Sequence, residues 1–288
     1  MITLEQLQAG LVLPIDKPRQ WTSFQAVNKI KAIVRNRYGL KKFKIGHAGT
    51  LDPLATGLLL VCLGKATKLI PRLQDGDKVY TGTLVLGATT PCYDLERAVD
   101  RYYPYEHITL NLLREQVARL TGTVMQVPPM FSAVKVDGQR AYEYARRDDP
   151  SVTIQPKPVT VYSFEITAFR PGKLKDESEK KKDESFPGAA ASLSTLHIPP
   201  STPIGEGSGV NPSRNLYQHP LGEIPPHLPQ ADFRISCGKG TYIRSLARDL
   251  GEALGSGAFL SALRREQTGT YTIDQALRLD QVHNYLTA

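Results

Sequence analysis

Six consecutive apolar residues, Leu58-Leu59-Leu60-Val61-Cys62-Leu63, lie between Gly57 and Gly64 with no polar interruption. A run that short and uniform predicts a strand buried on both faces. Upstream, Leu11 to Pro18 reads as a short apolar strand ending at prolines. Phe24, Val27, Ile30 and Val34 then recur at helical spacing behind a cap at Thr22 or Ser23. Downstream, Ala66 to Leu73 predicts one or two helical turns, and Lys78 to Gly87 a second strand with Tyr80 near its start. Leu112, Leu113, Val117 and Leu120 mark a helix that stops at Gly122, and Pro128-Pro129 interrupts the stretch after it. Val134 to Gly138 reads as a strand entering a tight turn, and Tyr142 to Arg147 as a short helix. From residue 159 the alternation is strict. Val159, Val161, Ser163, Glu165 and Thr167 share one face of a strand, and Tyr162, Phe164, Ile166 and Ala168 the other. Later, Phe233, Ile235 and Cys237 alternate along a strand. Gly238-Lys239-Gly240 then turns into a helix whose buried face is Ile243, Leu246, Leu250 and Leu254. A strand from Ala258 to Leu263 and a short helix near Asp280 to Tyr285 complete the pattern. Strands and helices mixed in this way suggest an α+β architecture.

Between these ordered stretches, residues 171–230 hold ten of the 21 prolines and a mixed-charge run from Lys173 to Glu184. The segment has no periodicity and a net charge of −1, with six Lys+Arg against seven Asp+Glu, which leaves +9 on the rest of a chain whose total is +8. It predicts an irregular insertion within one domain. At 288 residues and 41% hydrophobic content, the chain can bury a substantial core. The basic balance points to a polyanionic partner. Cys62, Cys92 and Cys237 are far apart and odd in number, with no ligand-like spacing, so neither a disulfide framework nor a structural metal site is expected. No signal peptide and no membrane-length apolar run is present, which predicts a reduced, cytoplasmic protein.

The candidate chemistry sits immediately before the buried strand, in Gly46-His47-Ala48-Gly49-Thr50-Leu51-Asp52-Pro53-Leu54-Ala55-Thr56-Gly57. One carboxylate, Asp52, stands in a turn where Gly46, Gly49 and Gly57 permit positive φ or close approach of a ligand, and Pro53 biases Asp52 towards extended backbone. Taken alone, such a turn reads as an Asx-turn in which Asp52 bonds nearby amides. Lys29, Lys31 and Arg35 on the preceding helix, with Lys41, Lys42 and Lys44, suit either a solvated face or contact with phosphates.

This stretch, continued through Lys65-Ala66-Thr67-Lys68, resembles the catalytic motif of the TruB family of tRNA pseudouridine synthases. Further segments of that pattern recur in order: Lys78-Val79-Tyr80, Pro128 to Ala133, Ala141 to Arg146, and Lys239 to Leu246. The resemblance covers about residues 10–170 and 231–288 and implies the pseudouridine synthase fold. That is a large mixed, mainly antiparallel sheet with surrounding helices and a central RNA-binding cleft. It further implies a cofactor-free isomerase acting on uridine 55 in the TΨC loop of tRNA, here expected as a monomer. Carried over residue by residue, Asp52 is catalytic, Arg244 pairs with it, and Tyr80 stacks on the uracil and takes part in proton transfer. Tyr242 and Leu263 contact the target nucleotide, and His47 fills the space left by a flipped base. Whether Asp52 attacks the base or the ribose stays open. Two departures stand out. Pro91 and Cys92 break the family's Thr-Asp-Thr-x-Asp loop, leaving only Asp94 with a weak role, and the insertion replaces a short connection. Family members generally carry a PUA domain after the catalytic domain; nothing in this sequence matches one, so the bacterial type without it is expected. A guide-RNA-dependent synthase and a non-catalytic tRNA-folding chaperone are the competing readings.

Overall fold

The structure is a computed structural model that describes residues 2–145, 147, 152–173 and 221–287. In chain order its elements are α1 (Leu4–Ala9), β1 (Leu11–Lys17), α2 (Ser23–Tyr38), β2 (Ile45–Ala48), β3 (Thr56–Leu63), a 3-10 turn over Gly64–Leu69 and α3 (Ile70–Asp75). Next come β4 (Lys78–Leu86), β5 (Ala88–Thr89), β6 (Arg101–Tyr102), α4 (Leu110–Arg119), β7 (Gly122–Gln126), β8 (Lys135–Val136), β9 (Gln139–Arg140), α5 (Ala141–Ala145) and β10 (Lys157–Arg170). The last part holds β11 (Gln230–Cys237), α6 (Ile243–Ala253), β12 (Ala258–Thr268), β13 (Tyr271–Thr272), β14 (Leu277–Arg278) and α7 (Val282–Thr287).

A 10-stranded sheet runs in the order β14-β1-β3-β12-β4-β11-β10-β7, with β2 on β3 and β13 on β12. Only the β1/β14 and β3/β12 pairs are parallel, so the sheet is mixed and mainly antiparallel, as expected of the α+β class. Every residue from Leu58 to Leu63 is fully buried, because β3 lies between β1 and β12 with side chains packed on both faces. The long crossings matter most for function. β12, from the end of the chain, inserts between β3 and β4 and brings the C-terminal third against the Asp52 turn.

Several expectations shift. Helix α2 starts at a Thr22 capping box with Gln25, but Phe24 is 69% exposed, because it lies about 100° round the helix from the centre of the buried stripe Val27, Ile30 and Val34. The alternation along β10 does not hold throughout. Val159 and Val161 are buried, but so are Phe164 and Ile166, because a register irregularity against β11 between Val161 and Ser163 switches the faces. Gly46 sits inside β2 with ordinary φ, so the turn before β3 is shorter than its glycines suggest. The strand β7 after Gly122 and the capped helix α1 carry no strong periodicity, so the apolar pattern does not predict them. No helix among the described residues is long and apolar enough to cross a membrane.

Of the irregular stretch 171–230, residues 174–220 lie outside the described residues. Its two flanks meet. The Lys173 N–H donates to His227 O at 3.0 Å, Arg170 pairs with Gln230, and Leu228 is buried in the main core. Replacing residues 174–220 with a short Gly/Ser linker should therefore leave the melting temperature within a few degrees, since doubling a surface loop costs only about 0.6 kcal/mol. Leu228→Ala should cost about 2–5 kcal/mol in a urea titration. A shortened chain that no longer melts cooperatively would place the replaced segment in the core.

Candidate active site

The turn from Gly49 to Ala55 is held on several sides before any ligand arrives. Ser23, at the start of α2, donates its hydroxyl to Leu51 O at 3.1 Å and accepts the Leu51 N–H at 2.9 Å. Pro53 O accepts the Gln20 N–H at 2.9 Å and the Lys17 ammonium at 3.2 Å, and Ala55 N–H donates to Asp52 O at 3.1 Å. Lys17 is fully buried and places its other two N–H groups on Pro18 O and Trp21 O. Three carbonyls thus take all three donors of one ammonium, and the turn cannot shift without breaking that set.

Asp52 does not cap its own backbone. Both carboxylate oxygens face Arg244, from the first turn of α6, with Nε–Oδ2 at 2.9 Å and Nη2–Oδ1 at 3.0 Å. This is the two-pronged geometry in which a guanidinium holds a carboxylate at fixed orientation. The Arg244 side chain is 4% exposed and that of Asp52 35%, so the cation is enclosed while its anion stays open to solvent. The rest of the fork is also occupied: Nη1 donates to Cys92 O at 3.1 Å and Nη2 to Phe131 O at 2.8 Å. Asp94 stands behind, its Oδ2 3.8 Å from Arg244 Nε. Burial raises the Asp94 pKa above the usual carboxylate range and the charge of Arg244 opposes it. Burial also pulls against the charge on Arg244, but Asp52 and Asp94 outweigh it and the guanidinium is more firmly protonated than usual.

Helix α6 organises the rest. Ser245 donates to Val127 O at 2.8 Å, Arg248 to the same carbonyl at 3.2 Å, and the Arg248 guanidinium lies 5.4 Å from the centre of the Tyr93 ring. Tyr93 has a left-handed backbone, φ 61°, in the loop where Pro91 and Cys92 depart from the family pattern. That loop nevertheless supplies Arg244 with one carbonyl and one carboxylate.

The other predicted residues fall around this pair. Tyr242 precedes α6, and Gln126 fixes its backbone in both directions, at 2.8 and 3.1 Å. Its phenol pKa is raised by burial, with Ser132 beside it and the charge of Asp52 within influence. Tyr80 on β4 is buried, and its pKa is likewise raised chiefly by burial, with Arg265 opposing and Asp52 adding to the rise. His47 on β2 is partly buried, with a pKa lowered first by burial and then by the charge of Arg265, so its ring is neutral at pH 7. Leu263 on β12 is partly buried opposite Gly82 and does not share the hydrogen bonds of the pair. Sequence reasoning missed Lys17, Ser23 and Arg265, whose only signal is burial. It also missed the Cys92 and Phe131 carbonyls, which carry no side-chain signal.

Residues 35–184 match the family model described as TruB family pseudouridylate synthase (N terminal domain), and residues 244–288 match the tRNA pseudouridylate synthase B C-terminal domain. Among curated proteins, the chain is 43% identical over 277 residues to tRNA pseudouridine synthase B of Flavobacterium johnsoniae, covering 96% of each. It is 39% identical to the protein of that name from Phocaeicola vulgatus, covering 96% of this chain and 93% of the relative. Among solved structures, it superposes on a chain of a Cbf5-Nop10-Gar1 complex with a TM-score of 0.57 at 24% identity. That match covers 97% of this chain and 55% of the other, and it speaks to fold alone.

Burial pulls the Lys17 pKa from 10.5 down to about 8, partly offset by the charge of Asp52. Between those values the unfolded chain holds more protons, so the contribution of Lys17 to stability is least favourable below pH 8 and improves as pH rises through the window. Relative to Lys17→Met, the unmutated protein should gain about 2 kcal/mol of unfolding free energy between pH 7 and 9.5. Paired urea titrations measure it; a pH-independent difference would contradict the shift.

Proposed function

The chain belongs to the TruB family of pseudouridylate synthases, and from that premise we propose that it isomerises uridine to pseudouridine at position 55 in the TΨC loop of tRNA. The single observation that carries the reading is the partly open Asp52 carboxylate held by an enclosed Arg244. The reaction breaks the bond between C1′ and N1, turns the uracil and joins C1′ to C5, with N1 gaining and C5 losing a proton. It is redox-neutral and needs no energy source, and we expect it to proceed without a cofactor. It requires a carboxylate beside the sugar and base, ionised at neutral pH and fixed in place. Arg244 holds the Asp52 carboxylate in place through both of its oxygens.

In this reading Tyr80 stacks on the uracil and handles a proton. Tyr242 and Leu263 contact the target nucleotide, and the neutral His47 ring occupies the space vacated by the base. Extruding a nucleotide from a folded loop costs a few kcal/mol, which phosphate contacts elsewhere must offset. A recess of about 240 Å³ lined by Lys42, Lys44, Lys65 and Lys68, at the end of β3 away from the turn, supports such contacts. The two curated relatives, both named for tRNA, favour that substrate over a guide-RNA-bound one. The enzyme acts in the cytoplasm and as a monomer.

Asp52→Asn keeps size and most hydrogen bonding while removing the charge. Turnover of unmodified tRNA should disappear, with affinity changed by less than about tenfold, or 1.4 kcal/mol. Turnover near the unmutated rate would remove Asp52 from the chemistry. In filter-binding assays, log affinity should fall linearly with log salt between roughly 50 and 200 mM. A flat response would argue against a cleft that tracks the RNA backbone.

A further inference from the structure

Arg265 is among the largest fully buried side chains of the protein, 1% exposed, and forms no salt bridge among the described residues. Its Nε donates to Leu58 O at 2.7 Å and its Nη2 to Gly49 O at 3.0 Å. Carbonyls satisfy donors but do not neutralise charge, and a buried cation without an anion is a costly placement. The other enclosed arginine at the site, Arg244, lies against two carboxylates. Among the described residues, Arg265 has none.

The fold nevertheless goes to some length to keep it there. Gly57, with φ +97°, faces the Arg265 backbone so closely that a Cβ would stand 2.3 Å from Arg265 O. A Cβ on Gly49 would stand 3.4 Å from its Nη1. Both glycines bracket the Asp52 turn. On the other side, Arg265 is the direct cross-strand neighbour of Tyr80, so the two side chains share a face of the sheet. The charge of Arg265 acts on the Tyr80 phenol across the two strands.

A guanidinium has five donors and no acceptor. Toward such a neighbour the Tyr80 oxygen can only accept, and its own proton must point in another direction. We propose that Arg265 is a positioning residue for Tyr80: it takes the phenol oxygen on the buried side, so that the O–H is offered to the uracil in the cleft. The inference rests on the proposed reaction and goes beyond it by fixing Tyr80 as a donor. The Arg265 charge also works against the burial that raises the Tyr80 pKa, which keeps the phenol usable for proton transfer.

A merely structural Arg265 would tie β12 to Leu58 and Gly49 and nothing more. The two roles separate in the full-length protein through Arg265→Gln, Arg265→Lys and Tyr80→Phe, with each arginine variant also made in the Tyr80→Phe background. Unmodified tRNA is the probe. Arg265→Gln should leave the RNA Kd within about threefold and lower the single-turnover rate at least tenfold, and Arg265→Lys should recover part of that loss. In the Tyr80→Phe background the same changes should alter the residual rate by less than twofold. Equal losses in both backgrounds, or a Kd that worsens in step with the rate, would overturn the assignment. If Arg265→Gln does not fold, Arg265→Lys carries the same comparison. A second arm does not depend on activity. In protein labelled with ¹³C at the tyrosine ζ carbon, the signal absent from Tyr80→Phe identifies Tyr80, and it must move in Arg265→Lys. An unmoved signal overturns the contact. An unmutated protein with no turnover would remove the proposed reaction instead, which the labelling arm tells apart.

Discussion

The two-pronged contact between Arg244 and Asp52 joins residues 192 positions apart, and most of the architecture serves to make that contact possible. Asp52 comes from the turn that enters β3, and Arg244 from the start of α6. The turn is immobilised by Lys17 and Ser23 and the helix start by Gln126, so neither partner has to be ordered when substrate arrives. Preorganisation of this kind is among the largest contributions a protein makes to a reaction. It also explains why α6 reaches two separate loops. The carbonyls of Cys92 and Phe131 complete the Arg244 fork, so a displacement of either loop is felt at the carboxylate.

Charge balance at the site is unequal by design of the fold. Lys17, Arg244 and Arg265 are all enclosed, while of the two carboxylates facing Arg244, Asp94 is buried and Asp52 stays open to solvent. Positive charge held behind a single exposed carboxylate suits the handling of an RNA nucleotide, whose phosphates and carbonyl oxygens are all acceptors. Burial, with the charge of Arg265 adding to it, lowers the His47 pKa.

Much of this was legible in the residues. Leu58 to Leu63 could hardly be anything but a doubly buried strand, and the Thr22 cap with its helical spacing placed α2 closely. The Asp52–Arg244 pair was legible only through the resemblance, since nothing local to either residue points across 192 positions. What stayed hidden has physical reasons. The bulge in β10 reverses a face within a perfectly alternating sequence, and the exposure of Phe24 depends on how α2 is rotated against the sheet. Backbone carbonyls leave no trace in side-chain patterns. A buried Arg265 reads in sequence as one half of an ordinary Arg-Arg pair, because its burial comes from the insertion of β12 between β3 and β4.

The dependence on the guanidinium fork itself is best tested with Arg244→Lys, which keeps the charge but can no longer hold Asp52 at two points while reaching Cys92 O and Phe131 O. The measurement is the single-turnover rate of pseudouridine formation on unmodified tRNA, alongside RNA affinity and the melting temperature. A folded variant that binds RNA within about tenfold of the unmutated protein but reacts at least about a hundredfold more slowly is the predicted result. A rate within about threefold of the unmutated protein would show that charge alone suffices and that the fork does not govern the chemistry.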